Sequence, residues 1–235
     1  MGRMFGTDGV RGIANKELTP ELAFEIGQAG AYVLTGSTGK KPVILVGKDT
    51  RISGDILECA LTAGLCSVGA KVVSAGVIPT PAIAYLVRRF GFDAGVMISA
   101  SHNPFEHNGI KFFSGEGYKL KDETEEKIEA IILDKAEEVK RAVCEDIGHR
   151  EEDYSLADEY KFAMSVTDVR FDGIKIAIDC ANGSASVTAK RALEGLGAEV
   201  FVTCDKPDGI NINKDCGSTH IENLAAFVKE TKADV

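Results

Sequence analysis

The sequence has no apolar run approaching the roughly 18–20 residues of a membrane span. Its first residues, Met1-Gly-Arg-Met-Phe-Gly-Thr-Asp-Gly-Val-Arg11, carry no long apolar core of the secretory type. A membrane partner is therefore not expected, and the cytoplasm is the expected compartment. Basic excess is missing too: 36 acidic residues face 27 basic ones, for a net charge of −9. Phosphate-backbone binding needs a basic surface, so nucleic acid is not an expected partner. A small anionic substrate stays within reach, because it asks only for a local cluster of cations and backbone N–H donors. No two of the six cysteines, Cys59, Cys66, Cys144, Cys180, Cys204 and Cys216, stand in the C-x-x-C spacing of a zinc or redox motif. Scattered thiols suit a reducing cytosol. Cys59 and Cys66 fall on one face of a predicted helix and read as buried apolar side chains. Gly-x-Ser-x-Gly, the dinucleotide-binding glycine pattern and the P-loop pattern are all absent, so the hydrolase elbow and two familiar phosphate cradles find no match.

What is present is an ordinary soluble balance, 44% hydrophobic and 27% charged over 235 residues, enough for one large or two modest domains. Thr19-Pro20-Glu21 opens a helix that Gly36 is expected to end. Pro42 to Val46 reads as a buried strand running into Gly47-Lys-Asp-Thr-Arg51, after which Ser53 is expected to cap a helix to about Val68. A strand at Lys71–Ala75, a helix from Thr80 to about Phe90, a strand at Ala94–Ile98 and a returning strand at Ile110–Phe113 follow. This alternation predicts an α/β fold: a mixed, largely parallel sheet flanked by helices on both faces. Lys121 to about Arg141 reads as one charged helix, its apolar stripe Ile128, Ile131, Ile132 and Val139, its charges a solvated face. The polar stretch Glu145–Asp153 marks a boundary, giving units 1–152 and 153–235, with a helix from Ser155 to about Val166 bridging them. The second unit predicts strands at Ile174–Ile178 and Glu199–Thr203, helices over Val187–Leu196 and about Glu222–Lys232, and a long polar loop, Pro207 to His220. The chain stops where the alternation asks for another strand, so it is expected to be a piece of a longer protein, its second α/β domain incomplete.

The run Met97-Ile-Ser-Ala-Ser-His-Asn-Pro-Phe105 concentrates the chemistry. An apolar strand enters a polar turn carrying Ser99, Ser101, His102 and Asn103, and Pro104 bars further pairing. Strand ends are where α/β proteins present functional groups. Ser101 reads either as a turn residue or as a covalent carrier that splits one hard transfer into two. His102 and Asn103 could orient that carrier or hold the turn through backbone bonds. Lys111, flanked by apolar residues, either snorkels to water or enters a cleft, where a desolvated ammonium suits acid/base work. Arg11 lies in the glycine-rich Phe5–Gly12, read as a tight loop able to meet an anion. Lys48 and Arg51 precede a helix, also a suitable place for phosphate.

Taken together, Phe5-Gly-Thr-Asp-Gly-Val-Arg-Gly12, Gly47-Lys-Asp-Thr-Arg51, Ile98-Ser-Ala-Ser-His-Asn-Pro-Phe105 with Asn108-Gly-Ile-Lys-Phe-Phe113, Asp179-Cys-Ala-Asn-Gly183, and Gly209-Ile-Asn-Ile-Asn with Cys216-Gly-Ser-Thr-His220 resemble the α-D-phosphohexomutase superfamily. The first and last of these segments are most similar to its phosphoglucosamine branch. The resemblance implies an intramolecular phosphotransferase that interconverts glucosamine 6-phosphate and glucosamine 1-phosphate in amino-sugar metabolism. Phosphoglucomutase or phosphomannomutase, or a non-catalytic sugar-phosphate binder, is the alternative. It implies that Ser101 is the phosphoserine, Lys111 the general acid/base, Arg11 an active-site arginine and His102 a neighbour of the carrier. Lys48, Arg51 and Asn103 would support phosphate. It also implies Mg²⁺, held by the phosphate on Ser101 and by three aspartates of an Asp-Gly-Asp-x-Asp-Arg loop, and glucosamine 1,6-bisphosphate as intermediate. No such aspartate string occurs here, and Asp179, Asp208, Asp215 and Asp234 lack the clustered oxygen ligands Mg²⁺ draws on. The expected partner is therefore a sugar phosphate, a homodimer is left open, and this stretch alone is expected to be inactive.

Overall fold

The computed structural model describes residues 3–135 and 138–235, with the side chains of residues 37 and 38 left aside. Eight strands and seven α-helices are defined among the described residues: β1 (Val10–Ile13), α1 (Pro20–Thr38), β2 (Val43–Lys48), α2 (Ser53–Ser67), β3 (Lys71–Val77), α3 (Thr80–Phe90), β4 (Ala94–Ile98), β5 (His107–Ser114), α4 (Asp122–Asp134), β6 (Arg150–Glu152), α5 (Leu156–Ser165), β7 (Lys175–Asp179), α6 (Ala189–Gly195), β8 (Glu199–Thr203) and α7 (Ile221–Thr231). Six strands form one sheet in the order β1-β5-β4-β2-β3-β6, and β7 pairs with β8 in a second. The central pairings β4–β2, β2–β3 and β3–β6 are parallel; β5 is antiparallel to both β4 and β1.

Strand alternation divides the large sheet's side chains between two cores. Ile44, Val46, Val96, Ile98 and Phe112 face α1, α2 and α4, with Ile26, Leu57, Leu61, Leu65 and Ile128 packed on them. Leu45, Val73, Met97 and Phe113 face the opposite layer, where α3 supplies Ile83, Leu86 and Val87 and α5 returns Leu156. Strands covered on both faces read as continuous apolar runs, which is why β2 and β4 stood out in the sequence. Thr19 caps α1 by accepting the Leu22 N–H at 3.2 Å.

Several expectations need correcting. Gly36 does not end α1: the helix runs to Thr38, and Gly39, at φ 71°, donates its N–H to the Thr35 carbonyl. Ser53 is not a cap. It is the first residue of α2, and its hydroxyl accepts from Asn108 Nδ2 at 2.9 Å. Phe5–Gly12 is a loop only as far as Gly9; Val10 onward is β1, because the free edge of β5 offers ladder partners that a local reading cannot see. The polar stretch 145–153 holds β6, whose exposed Arg-Glu-Glu gives no apolar alternation, yet it pairs with Val72–Ser74. α4 ends at Asp134 with Lys135 left-handed at φ 51°; Val139 still packs on the core, and residues 136–137 of the expected longer helix lie outside the described residues. The charges of α4 are not all solvated either, since Glu125 and Glu129 are buried. Cys59 is exposed and Cys66 half-buried, because Leu57, Leu61 and Leu65 occupy the core face of α2.

The second unit is thinner. β7 and β8 are half-buried, and α7 has no buried residue. The last residues lie beside β7: the Ala177 N–H donates to the Val235 carbonyl at 2.8 Å, and the Asp234 N–H to the Lys175 carbonyl at 2.8 Å. α5 touches both units, through Leu156 and Tyr160 on the first and through α6 on the second.

Candidate functional site

Ser101 sits in the β4–β5 turn at φ 57°, a left-handed conformation that costs a non-glycine residue about 1 kcal/mol or more and must be held by its surroundings. The holding group is Arg51. Its Nη2 donates to the carbonyls of Ser101 and Asn103, both at 2.9 Å, and its Nη1 to that of Pro104. Its Nε donates to Asp49 at 2.9 Å. Asp49 also accepts the Ser99 hydroxyl at 2.7 Å, and Ser99 Oγ accepts the Ser101 N–H at 3.1 Å. Arg51 and Asp49 are buried, so the turn is braced from beneath while Ser101 and His102 stay exposed.

A second brace comes from the other unit. Asn213 Nδ2 donates to the same carbonyls of Ser101 and Asn103, each at 3.0 Å. Around it, the Thr50 hydroxyl donates to the Asn182 carbonyl at 2.6 Å and the Ile52 N–H to the Gly209 carbonyl at 2.8 Å. The long polar loop of the second unit thus presses on both loops that frame Ser101.

Arg11 on β1 and Lys111 on β5 meet at one carboxylate: Asp8 lies 3.5 Å from Arg11 Nη2 and 3.7 Å from Lys111 Nζ. Lys111 also stands over the Phe113 ring, 5.7 Å from its centroid. Gly109 lies opposite Arg11 in the ladder, and a Cβ there would meet the Ser99 carbonyl at 2.7 Å and Arg11 Cγ at 2.9 Å. That missing side chain lets the arginine stem lie against the foot of the serine turn. Arg11 Nε is buried with no hydrogen-bond partner among the described residues, a donor that an anion's oxygen would satisfy.

The other two candidate cations are committed elsewhere. Lys48 Nζ bonds Asp55 at 2.5 Å and Glu58 at 2.6 Å, and Arg150 Nη2 reaches Glu58 at 3.3 Å. Burial pushes the Glu58 carboxyl up, but Lys48, Ser74 and Arg150 outweigh it and hold it below the usual carboxylate range. Lys48 thus stands inside an ion-pair network, and Arg51 braces the carrier turn through its backbone carbonyls. Asn103 contributes its backbone carbonyl to both braces. Sequence reasoning gave no role to Asp8, Asp49, Ser99 or Asn213, although all four stand inside the motif strings.

Among the described residues, Asp8 and Asp49 do not make an Mg²⁺ site. Asp49 is tied to Arg51 and Ser99, and Asp8 to two cations, so a hard divalent ion finds no free set of oxygens here.

A three-layer α/β unit with a braced serine turn at a strand end defines the class, and comparison with known proteins agrees. Residues 2–139 match the phosphoglucomutase/phosphomannomutase α/β/α domain I, and the chain belongs to that family. A phosphoglucosamine mutase of Ruminiclostridium cellulolyticum is 60% identical over all of this chain and 53% of its own length; one from Acetivibrio thermocellus is 59% identical with the same coverage. The chain therefore spans about half the length of the curated relatives it matches. A crystal structure of a phosphoglucomutase/phosphomannomutase family protein from Burkholderia thailandensis superposes with a TM-score of 0.82 at 25% identity, covering 98% of this chain and 50% of that one.

Proposed function

We propose that this chain is the carrier-bearing part of a phosphoglucosamine mutase, with Ser101 as the residue that exchanges the phosphoryl group. The observation that carries the reading is Ser101 itself: an exposed residue on a left-handed turn braced by Arg51 and Asn213. Arg11 on β1 adds a buried Nε with no hydrogen-bond partner among the described residues. Likeness to phosphoglucosamine mutases at about 60% identity over the whole chain supports the choice of sugar.

In the proposed reaction, phosphorylated Ser101 gives its phosphoryl group to the free 1-hydroxyl of glucosamine 6-phosphate. The P–O bond to Ser101 breaks as the P–O bond to the sugar forms, and the hydroxyl proton passes to Lys111. The resulting glucosamine 1,6-bisphosphate reorients, and its 6-phosphoryl group passes to the Ser101 oxygen while Lys111 returns a proton to the sugar's 6-oxygen. Such transfer needs in-line positioning and neutralised charge more than covalent help, and Arg11 supplies a planar cation for it. His102 flanks the carrier, Asn103 shapes its turn, and Lys48 and Arg51 act through structure. Mg²⁺ is expected from the resemblance; this chain would offer it the phosphate on Ser101, while the aspartate string the family uses is not among its residues. The units are proposed to divide at 152/153, where β6 closes the first sheet and α5 crosses to the second.

Intact-mass measurement after exposure to glucosamine 1,6-bisphosphate tests the carrier, in this chain and in a full-length protein that contains it. One added phosphoryl group in the full-length protein, abolished by Ser101→Ala, is the expected result. Transfer that survives Ser101→Ala would remove Ser101 from the role. Turnover of glucosamine, glucose and mannose phosphates by the full-length protein separates the three sugars, and robust turnover by this chain alone would contradict the reading of it as a partial site.

A further inference from the structure

Two motif segments outside the carrier turn, Asp179–Gly183 and Cys216–His220, converge on one point. Asp179 is the last residue of β7, Cys204 follows the last residue of β8, and Cys216 lies on the returning loop. Their ligand atoms, one carboxylate oxygen and two sulfurs, all lie within 4.8 Å of one another. We propose that Asp179, Cys204 and Cys216 form a binding site for a thiophilic divalent cation of the Zn²⁺ type.

The carboxylate is already oriented. Its two oxygens accept the N–H groups of Ala181 and Gly217, both at 2.7 Å, so backbone donors rather than a cation hold it in place. The Gly217 bond also fixes the neighbouring Cys216, whose side chain is buried. A divalent cation bound by these three ligand atoms would displace two thiol protons to solvent as two metal–sulfur bonds form.

The donor set selects the ion. Two sulfurs and one oxygen suit Zn²⁺ and other borderline or soft ions, whereas Mg²⁺ and Ca²⁺ need oxygen shells. Metal–sulfur bonds of about 2.3 Å and metal–oxygen bonds of about 2.0–2.2 Å place tetrahedral ligands roughly 3.5–3.8 Å apart, a contraction that side-chain rotation can deliver. Three protein ligands leave a fourth position for water, and half-exposed Asp179 and Cys204 provide the way in. Position agrees as well, since parallel strands collect ligands at their carboxyl ends. The ion would tie the ends of β7 and β8 to the loop whose Asn213 braces the Ser101 turn.

The test is titration of the reduced chain with Co²⁺, followed by displacement with Zn²⁺. One equivalent should bind with thiolate-to-cobalt charge-transfer absorption, and Zn²⁺ should abolish the band. Cys204→Ser and Asp179→Asn should each weaken binding by more than the roughly 10–100-fold that loss of a ligand's supporting bond costs. Cys59→Ser, on an exposed helix position, should change nothing. Cys216→Ser is scored only if its far-ultraviolet dichroism matches the parent, and Cys204→Ser carries the test if it does not. Absence of the charge-transfer band overturns the proposal. So does a band that survives Cys204→Ser, or a Cys204–Cys216 disulfide formed with hydrogen peroxide in protein that takes up no metal when reduced.

Discussion

The two units of this chain use the same strand–helix alternation and end with different kinds of stability. In the large sheet, β2 and β4 are covered on both faces and their central residues are wholly buried. In the small sheet, β7 and β8 are half-buried, and Ile221 on the accompanying α7 is 69% exposed. Burial of apolar area dominates the first unit. The loops of the second are held instead by discrete hydrogen bonds, several of them to the first unit through Thr50, Ile52, Ser101 and Asn103. The carrier turn lies where these two regimes meet. Buried Arg51 and Asp49 of the first unit hold its base, and a polar loop of the second touches its side.

The sharpest way to break this comparison is to cut the same kind of contact in each unit. Phe112→Ala removes a wholly buried ring from the large core and should cost about 3–5 kcal/mol. Val200→Ala on half-buried β8 should cost about 1 kcal/mol or less. Equal losses in urea unfolding would erase the distinction.

Next in size is Arg51→Ala, which strands a buried Asp49 and three carbonyls and should cost about 3 kcal/mol or more. Arg51→Lys should not restore it, because one ammonium cannot span the set that the guanidinium fork reaches. Hydrogen exchange over residues 101–107 should accelerate in both variants. Asn213→Ala should cost only about 1 kcal/mol, since Arg51 still serves the same carbonyls. Its signature is regional: faster exchange in 205–216 and in the Ser101 turn, with β2 and β4 unchanged.

The smallest effect is the pH dependence of the N-terminal anchor. Burial pushes the Glu129 carboxyl up, but the N–H groups of Phe5, Met4 and Arg3 and the Arg3 guanidinium outweigh it, so it titrates below its ordinary value. A depressed carboxylate contributes stability above its unfolded value, about 4.3, and loses it as pH falls through the lower folded value. Glu129→Gln should therefore flatten the acid limb of thermal stability while leaving the second unit's exchange untouched. An unaltered acid limb would show that the anchor contributes nothing.

Much of the fold could be read locally, and particular residues show why. Thr19-Pro20 starts a helix through its own side chain and ring, and Ala94–Ile98 reads as a strand because both its faces are covered. β1 and β6 escaped notice because edge strands need only one partner and can be short, glycine-bearing or fully charged. At the candidate site, Ser101, Arg11 and Lys111 stood out by type and context. The fate of Lys48 and Arg51 did not, because a cation before a helix looks the same whether it awaits a phosphate or is already paired.

The sequence alone determined the alternation of strands and helices, the polar turn after β4 and the family likeness, because each depends on neighbours within a few residues or on an unbroken string. Only the tertiary structure decided who pairs with whom. It placed Glu129 under the N–H of Arg3, 126 positions away, and Asn213 against the carbonyl of Ser101, 112 positions away. It showed Arg51 bonded to the backbone of the carrier turn, 50 positions away. It also gathered Asp179, Cys204 and Cys216 from separate segments. The physical reason is that a hydrogen bond or ion pair forms with whatever group packing brings within reach, and packing is a property of the whole chain.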